Sequence, residues 1–275
     1  MLQSILVGLD GSEYSSSAVD LGLQLASRAQ AALVGLGIID MQALTHPEPV
    51  PLGGSFYKEQ RDALLSTQLQ RQVEQALAYC TQQSAAAAVR CRVSQATAHA
   101  DVLLRLEAQC HDVILLGQQT FFQSPLRADD TLESVLRHTP RPIIVAPQFV
   151  PDGQTVVIAY DGSLPAARTL QAFQMLQIYS AHRLHVVCVH AHRETAQEHV
   201  ERACTFLRLH DLAVTPYALA TERDPEAVLL EHCQHEQASL LVMGAYGQST
   251  LREFFCGSLT RSMLRDSQVP LFLYH

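Results

Sequence analysis

Three glycines and a serine near the end of the chain have the types and spacing of a phosphate-binding turn. Gly244 and Gly247 follow a buried apolar run, Ala238–Met243, and Gly257-Ser258 follows Gly247 after nine intervening residues. Glycines let the backbone approach a ligand closely, and N–H groups at the start of a helix bind anions. The pattern therefore predicts a nucleotide-phosphate site between a strand end and a helix that begins at Ser258. The alternative is a turn and a helix start that need glycine for geometry alone.

Two polar side chains can add to such a site. Ser258 can cap the helix and also offer its hydroxyl to a phosphate. Arg252, in the intervening loop, is either a charge-assisted phosphate ligand or a solvated surface arginine. The sequence leaves both readings of Arg252 open.

The chain contains two copies of one pattern. Asp161-Gly162-Ser163 repeats Asp10-Gly11-Ser12, each after a strand-length apolar run, and we interpret Ser12 and Ser163 as helix N-caps. The closing strand also recurs, as Pro142–Val145 and Pro270–Leu273. We interpret this as a tandem duplication whose boundary is the Pro- and Gly-containing segment before residue 154. The predicted domains are 1–150 and 151–275.

Apolar runs of strand length alternate with helical periodicity through both halves. In the first half the predicted strands are Ser4–Leu9, Ala32–Ile39, Val89–Val93, Val113–Leu116 and Pro142–Val145. The predicted helices are Ser15–Ala29, Glu59–Gln83, Asp101–Ala108 and Thr131–His138, and Thr45–Phe56 is predicted to be an exposed loop. Near-continuous apolar strands indicate a parallel sheet covered by helices on both faces, which binds ligands at the carboxyl ends of its strands.

Composition limits the function classes. The 275 residues are 48% hydrophobic and 17% charged, which suits two soluble α/β domains, and a net charge of −8 disfavours binding to nucleic acid or anionic membranes. No apolar stretch reaches the ~20 residues of a membrane span, and we expect no signal peptide. The seven cysteines are scattered without a CxxC pair, which predicts reduced thiols in a cytoplasmic protein.

The strand followed by Asp-Gly-Ser, the G-x2-G-x9-G-S motif and the closing Pro-apolar strand resemble the universal stress protein family over essentially the whole chain. The resemblance implies two tandem Rossmann-like α/β domains and, in the second, a site for ATP, with Mg²⁺ as an optional companion. It implies that Asp161 lies near the ribose, the phosphates or a bound metal, and that the backbone of Val189 lies against adenine. The other implied lining residues are Met243, Gly244, Gly247, Gly257, Ser258 and Leu259.

The first half departs from this motif. Gly117-Gln-Gln-Thr120 has threonine where the second glycine belongs, and Asp130-Thr131 replaces Gly-Ser. The side chain of Thr120 narrows the backbone approach, and the carboxylate of Asp130 repels a polyphosphate at a helix N-terminus. We therefore expect that the first domain does not bind ATP in the family manner. It keeps Asp10 and Gly117, so a different small ligand stays open.

Other chemistry is weakly signalled. We interpret His185, His190 and His192 as exposed loop histidines and not as metal ligands, because their spacing matches no defined site. We assign no catalytic residue: there is no G-x-S-x-G elbow, and the only lysine, Lys58, is in the first half.

Three functions are consistent with these observations. The first is a regulatory protein that binds ATP in its second domain, and the second is a slow ATPase or adenylyl-transfer enzyme, by analogy of fold alone. The third is a scaffold that binds no nucleotide. The resemblance also implies an internal pseudo-dimer of the two halves through their last strands, and a homodimer of chains.

Overall fold

A computed structural model of the chain describes residues 1–40, 55–120, 122, 128–178, 183–245 and 258–275. The chain divides into two compact units. The first is Gln3–Pro140, and the second is Arg141–His275 together with Met1 and Leu2.

The first unit is a parallel sheet with helical connections. Its strands are β1 (Ser4–Leu9), β2 (Ala32–Ile39), β3 (Cys91–Thr97) and β4 (Val113–Gly117). They pair in parallel in the order β3-β2-β1-β4. The helices are α1 (Glu13–Ala29), α2 (Ser55–Ala86), α3 (Ala100–Glu107), which continues into a 3-10 turn (Ala108–Cys110), and α4 (Ala128–His138).

The second unit repeats this arrangement and adds two strands. Its strands are β5 (Ile143–Ala146), β6 (Thr155–Ala159), β7 (Arg183–His190), β8 (Val214–Ala220), β9 (Ala238–Gly244) and β10 (Leu271–Tyr274). They pair in the order β5-β10-β9-β6-β7-β8, all in parallel except for the antiparallel pair β5–β10. The helices are α5 (Leu164–Leu176), α6 (Arg193–Arg208), α7 (Pro225–His235) and α8 (Ser258–Asp266).

Burial follows the apolar runs of the sequence. β4 is buried along its whole length and β6 along all but its last residue, as expected for central strands with helices on both faces. The outer strands β3 and β8 are mostly exposed or half-buried, and β8 contains Pro216, a residue that sheets tolerate at an edge. The predicted α/β class, with mostly parallel strands and helical connections, is therefore confirmed.

Most element bounds agree with the sequence prediction to within three residues. The largest difference in a strand is β3, which was predicted as Val89–Val93 but begins at Cys91. The chain first turns through Ala88 in a left-handed conformation, φ 53°, and Val89 N–H donates to the Ser84 carbonyl at 2.9 Å. These local bonds end α2 and delay the strand.

Two further predictions meet the structure only in part. The predicted loop Thr45–Phe56 falls mostly outside the described residues, and its last two residues already belong to α2. Strand β5, assigned by the sequence analysis to the first half, belongs to the second compact unit because its antiparallel pairing is with β10. Among the helices that the structure describes, none is both long and apolar enough to cross a membrane.

Candidate functional site

The strand order of the second unit reverses at β6, which pairs with β7 on one side and β9 on the other. At such a reversal the connections leave in opposite directions, so a crevice opens at the carboxyl ends of the two strands. Ala159 pairs with Met243 at this end, and the chain continues from them into Tyr160 and Gly244. A cavity of about 140 Å³ lies there.

The cavity is lined by residues from six elements and their adjoining turns. Five lining residues are site residues named by the sequence analysis: Asp161, Val189, Met243, Gly244 and Leu259. The others are Ala159, Tyr160, Ala166, Val187, Pro225 and Leu229. The structure thus brings together positions that lie almost one hundred residues apart in the sequence.

A tight turn after β6 presents the Asp161 carboxylate. Its Oδ1 accepts a hydrogen bond from Ser163 N–H at 2.9 Å, and Asp161 itself is exposed. Gly162 between them has φ +78°, a left-handed conformation that favours glycine. The Ser163 hydroxyl then caps α5 by accepting from Ala166 N–H at 3.3 Å. This confirms Ser163 as an N-cap. Within the turn only Oδ1 of Asp161 accepts a hydrogen bond, and its second carboxylate oxygen accepts none.

Gly244 is required by packing as well as by any ligand. A Cβ at this position would lie 2.5 Å from the Ala166 backbone nitrogen and 2.8 Å from the Pro165 carbonyl carbon. Both atoms belong to the first turn of α5, so neither can rotate away. Gly117 of the first unit is packed similarly, since a Cβ there would lie 2.4 Å from the Tyr14 Cβ. The first glycine of the motif therefore has a structural role in both halves.

Helix α8 begins at Ser258, as predicted, and its second residue, Leu259, lines the cavity. The positive end of the helix dipole is therefore at the cavity, where it favours an anion. The side chain of Ser258, and Gly247, Gly257 and Arg252 as a whole, lie outside the described residues. Their predicted contacts stay predictions.

A second cavity of about 460 Å³ adjoins the first and shares Pro225 and Leu259 with it. It lies between the first turn of α7 and the outer side of α8, and its remaining lining residues are charged or polar: Asp224, Glu226, Arg261, Ser262 and Arg265. The first cavity alone is smaller than the ~300–1,000 Å³ of most small-molecule sites. Together the two offer an apolar compartment beside a polar one.

A thiol and a phenol near the crevice are held in their neutral forms. Burial raises the pKa of Cys188, on β7, to about 11, and the charge of Asp161 adds to this. Burial also raises the pKa of Tyr160, with a further contribution from Asp161. A thiol and a phenol with raised pKa are poor nucleophiles and bases at neutral pH. This chemistry suits binding better than covalent catalysis.

The corresponding crevice of the first unit is filled by side chains. Asp10 is only 2% exposed, and its Oδ1 accepts hydrogen bonds from Ser12 N–H at 2.9 Å and from Ser15 Oγ at 3.1 Å. Helix α2 packs on the turn, since a Cβ at Gly11 would lie 2.6 Å from the backbone of Gln72. The Asp10 carboxylate is therefore held inside the protein, whereas that of Asp161 faces solvent.

The first unit also differs where the second glycine is missing. Thr120 is 1% exposed, and its Oγ1 would lie 2.8 Å from a Cβ at Gly117. Phe122, just beyond, is fully buried and reaches within 3.1 Å of a Cβ at Gly8. Helix α4 begins at Ala128, so the backbone of Asp130 lies inside its first turn. Thr120 and Phe122 thus occupy volume above the ends of β1 and β4.

The interpretation of the histidines as exposed loop residues was wrong for His185. This residue lies within β7 and is 4% exposed, with its ring 4.7 Å from that of Tyr217 and 5.8 Å from that of His232. His190 is the half-buried last residue of β7, so it is not a loop residue either, and its Nδ1 accepts a hydrogen bond from His192 N–H at 3.0 Å, which closes the turn before α6. In the part of the chain that the structure describes, no group of three or more His, Cys, Asp or Glu side chains is arranged to hold a metal.

Sequence reasoning missed several residues that shape the site. Pro225 and Leu229 of α7 line the cavity, and His199 of α6 backs the Asp161 turn, with its Cε1 2.4 Å from the position of a Cβ at Gly162. None of them was singled out from the sequence, because helical periodicity can mark such residues only as inward-facing. Their place at the crevice depends on which strands their helices cover, which periodicity does not specify.

The chain resembles known proteins over nearly its full length. A family model described as the universal stress protein family matches residues 1–147 and 153–275. Universal stress protein Slr1230 of Synechocystis is 26% identical over 300 residues, covering 99% of this chain and all of the relative. A universal stress protein structure from Archaeoglobus fulgidus superimposes with a TM-score of 0.68 at 17% identity, covering 98% of this chain and 97% of that one.

A further solved structure is a universal stress protein in complex with cAMP. It covers 54% of this chain and 98% of its own, with 16% identity and a TM-score of 0.35. That score is too low for any inference about this chain. The two full-length matches and the two family segments agree with a duplicated architecture.

Proposed function

The chain belongs to the universal stress protein family, and on that premise we propose that its second half binds an adenine nucleotide, ATP, in a regulatory role in the stress response. One observation carries the proposal. The cavity at the strand reversal is lined by Asp161, Val189, Met243, Gly244 and Leu259. The sequence motif and the family resemblance pointed to these residues, whereas the cavity is found in the fold without reference to either. Their agreement supports a nucleotide site.

The chemistry of the two cavities suits the parts of such a ligand. The apolar compartment, with Met243 and the end of β7 at Val189, fits a purine ring. The N-terminus of α8, with Gly247, Gly257 and Ser258, would hold the phosphates through backbone N–H groups. Mg²⁺, if bound, would neutralise phosphate charge, and the exposed Asp161 carboxylate is the side chain suited to contact it or the ribose.

The first half, in this proposal, is a degenerate copy with a structural or regulatory role. Two observations support this: Asp10 is buried and accepts hydrogen bonds from Ser12 and Ser15, and Thr120 is buried as well. We place the domains at 1–150 and 151–275, in agreement with the two segments matched by the family model. We also propose that the protein is cytoplasmic and binds neither nucleic acid nor membranes.

Two alternatives compete with a regulatory binding protein. Slow ATP hydrolysis or adenylyl transfer would use the same site, and steady phosphate release that Gly257→Asp abolishes would support it. A scaffold that binds no nucleotide is favoured by the antiparallel β5–β10 pair, which lets the last strands of both halves associate. We propose that this pairing underlies an internal pseudo-dimer and that two chains form a homodimer.

The first experiment asks whether the protein carries a nucleotide. Purified protein is denatured and any released small molecule is identified by chromatography and mass spectrometry. An adenine nucleotide in the supernatant supports the proposal. If none is released, calorimetric titration with ATP and Mg²⁺ decides, and the absence of heat at concentrations well above the micromolar range would refute it.

A matched pair of substitutions tests the role of Asp161. Asp161→Asn keeps an acceptor for Ser163 N–H but removes the charge, so it should weaken ATP binding about tenfold, the effect of losing one hydrogen bond to a charged group. Asp10→Asn, the same change in the first half, should leave ATP affinity unchanged. Repeating both titrations without Mg²⁺ separates a metal contact from a ribose contact, because only the former loses its effect.

A further inference from the structure

Two cysteine sulfurs of the first unit are in contact. Cys80 Sγ, on α2, lies 3.8 Å from Cys91 Sγ, on the first residue of β3. At this distance one thiol donates a weak hydrogen bond to the other. A disulfide requires about 2.05 Å between sulfurs, so the two sulfurs must approach each other by roughly 2 Å for the bond to form.

The two thiols have different surroundings. Cys80 is fully buried and packs over β2, since a Cβ at Gly35 would lie 3.1 Å from its sulfur. Cys91 is half-buried on an outer strand, where small solutes reach it. Burial, and then the charge of Cys91, raises the pKa of Cys80 to about 12. Cys80 is therefore a protonated thiol at neutral pH, and Cys91 is the one open to attack by an oxidant.

We propose that Cys80 and Cys91 form a dithiol that hydroperoxides convert reversibly into a disulfide. The Cys91 thiolate attacks a peroxide oxygen, which breaks the O–O bond and gives a sulfenic acid and hydroxide. The sulfur of Cys80 then attacks the sulfenic sulfur; its proton leaves with the hydroxyl group as water, and the S–S bond forms. Overall two thiols lose two hydrogens and one peroxide becomes two waters, or water and an alcohol.

The cross-link would act on the first unit and not on the proposed nucleotide site. It would fix the end of α2 to β3, and the same helix covers Gly11 and Gly37 at the carboxyl ends of β1 and β2. The oxidised form should therefore hold the Asp10 turn more rigidly. This inference does not depend on ATP binding by the second half.

The chain offers a direct peptide assay, because Arg90 lies between the two cysteines. Full-length reduced protein is treated with hydrogen peroxide, its remaining thiols are alkylated, and it is cut with trypsin without reductant. The expected product is peptide Gln72–Arg90 linked to the dipeptide Cys91–Arg92, lighter than the sum of the two by two hydrogens. Dithiothreitol should restore both alkylatable thiols.

Three variants sharpen the result. Cys91→Ser and Cys80→Ser should each abolish the linked peptide completely, whereas Cys110→Ser, which removes an exposed thiol elsewhere, should leave its yield unchanged. The proposal is overturned if wild-type protein consumes peroxide while Cys80 stays fully alkylatable, or if Cys91 proceeds to sulfinic acid without the link. It is equally overturned if linked peptides join Cys80 or Cys91 to other cysteines in similar yield. The wild-type map decides even where a serine variant folds poorly.

Discussion

Substituting alanine for Gly244 should disturb the packing of strand β9 against helix α5, and its effect on stability should be confined to the second unit. The new Cβ of Gly244→Ala would lie 2.5, 2.8 and 2.9 Å from three backbone atoms of Pro165 and Ala166. Favourable contact between carbons begins near ~3.5 Å. The first turn of α5 must therefore retreat by roughly 1 Å, because backbone atoms cannot rotate aside as a side chain can.

The size of the effect follows from two contributions. Overpacking of this kind costs ~1–3 kcal/mol, and the rigid neighbours place this site in the upper part of that range. The retreat also lengthens the bond from Ala166 N–H to Ser163 Oγ, now 3.3 Å, and loss of an N-cap costs ~1 kcal/mol. We expect the second unit to lose about 3 kcal/mol of unfolding free energy and ATP affinity to fall with it.

The matched control adds the same methyl where it is tolerated. At Gly22, in α1, a Cβ would meet only side-chain ends, the nearest 3.0 Å away on Leu33, and alanine gains ~1 kcal/mol of helix propensity. Gly22→Ala should change stability little. Because the chain has no tryptophan, unfolding in urea is followed by circular dichroism, and hydrogen exchange of β9 peptides assigns the loss to the second unit. Equal stability of the two variants would refute the packing argument.

Two other predictions follow from local contacts. Ser163→Ala should lower the free energy of unfolding by ~1 kcal/mol, because the Ser163 hydroxyl caps α5. Ser12→Ala should leave it nearly unchanged, since Ser12 lies at the N-cap of α1 but its side chain makes no cap bond. Urea unfolding of both variants compares the two losses, and equal losses would contradict this prediction. Burial lowers the pKa of His185 and His232, so the stability they contribute is complete above pH ~6.5 and is lost as pH falls below it. His185→Phe should flatten the fall in urea midpoint between pH 7.5 and 5.5, and an unchanged fall would place its cause elsewhere.

Most of the fold could be predicted from the sequence because the central strands of a parallel sheet are nearly continuous apolar runs. The runs at β1, β2, β4 and β9 are apolar apart from Ser4 and Ser239, and the glycine or aspartate at the end of a run marks the carboxyl end of the strand. Edge strands give weaker signals. β3 is mostly exposed, so its sequence CRVSQAT mixes polar and apolar residues without a continuous apolar run. Its predicted bounds, Val89–Val93, therefore differ from the observed Cys91–Thr97.

Properties that depend on distant contacts could not be derived from residue spacing. The pairing of β5 with β10, which lie more than one hundred residues apart, was implied only by the family resemblance. The contact between Cys80 and Cys91 depends on how α2 crosses the sheet, and the burial of His185 depends on Tyr217 and His232. Residue spacing alone suggested reduced, separate thiols and exposed histidines.

Calorimetric titration of three proteins with ATP and Mg²⁺ tests the central claim most directly. Wild-type protein should bind one ATP per chain with a Kd on the order of micromolar. Gly247→Thr, which copies Thr120 of the first half into the second, should weaken binding at least about tenfold, the equivalent of ~1.4 kcal/mol. Thr120→Gly, the reverse change, should leave the stoichiometry at one. No binding by the wild type, or equal binding by Gly247→Thr, would contradict a nucleotide site in the second half.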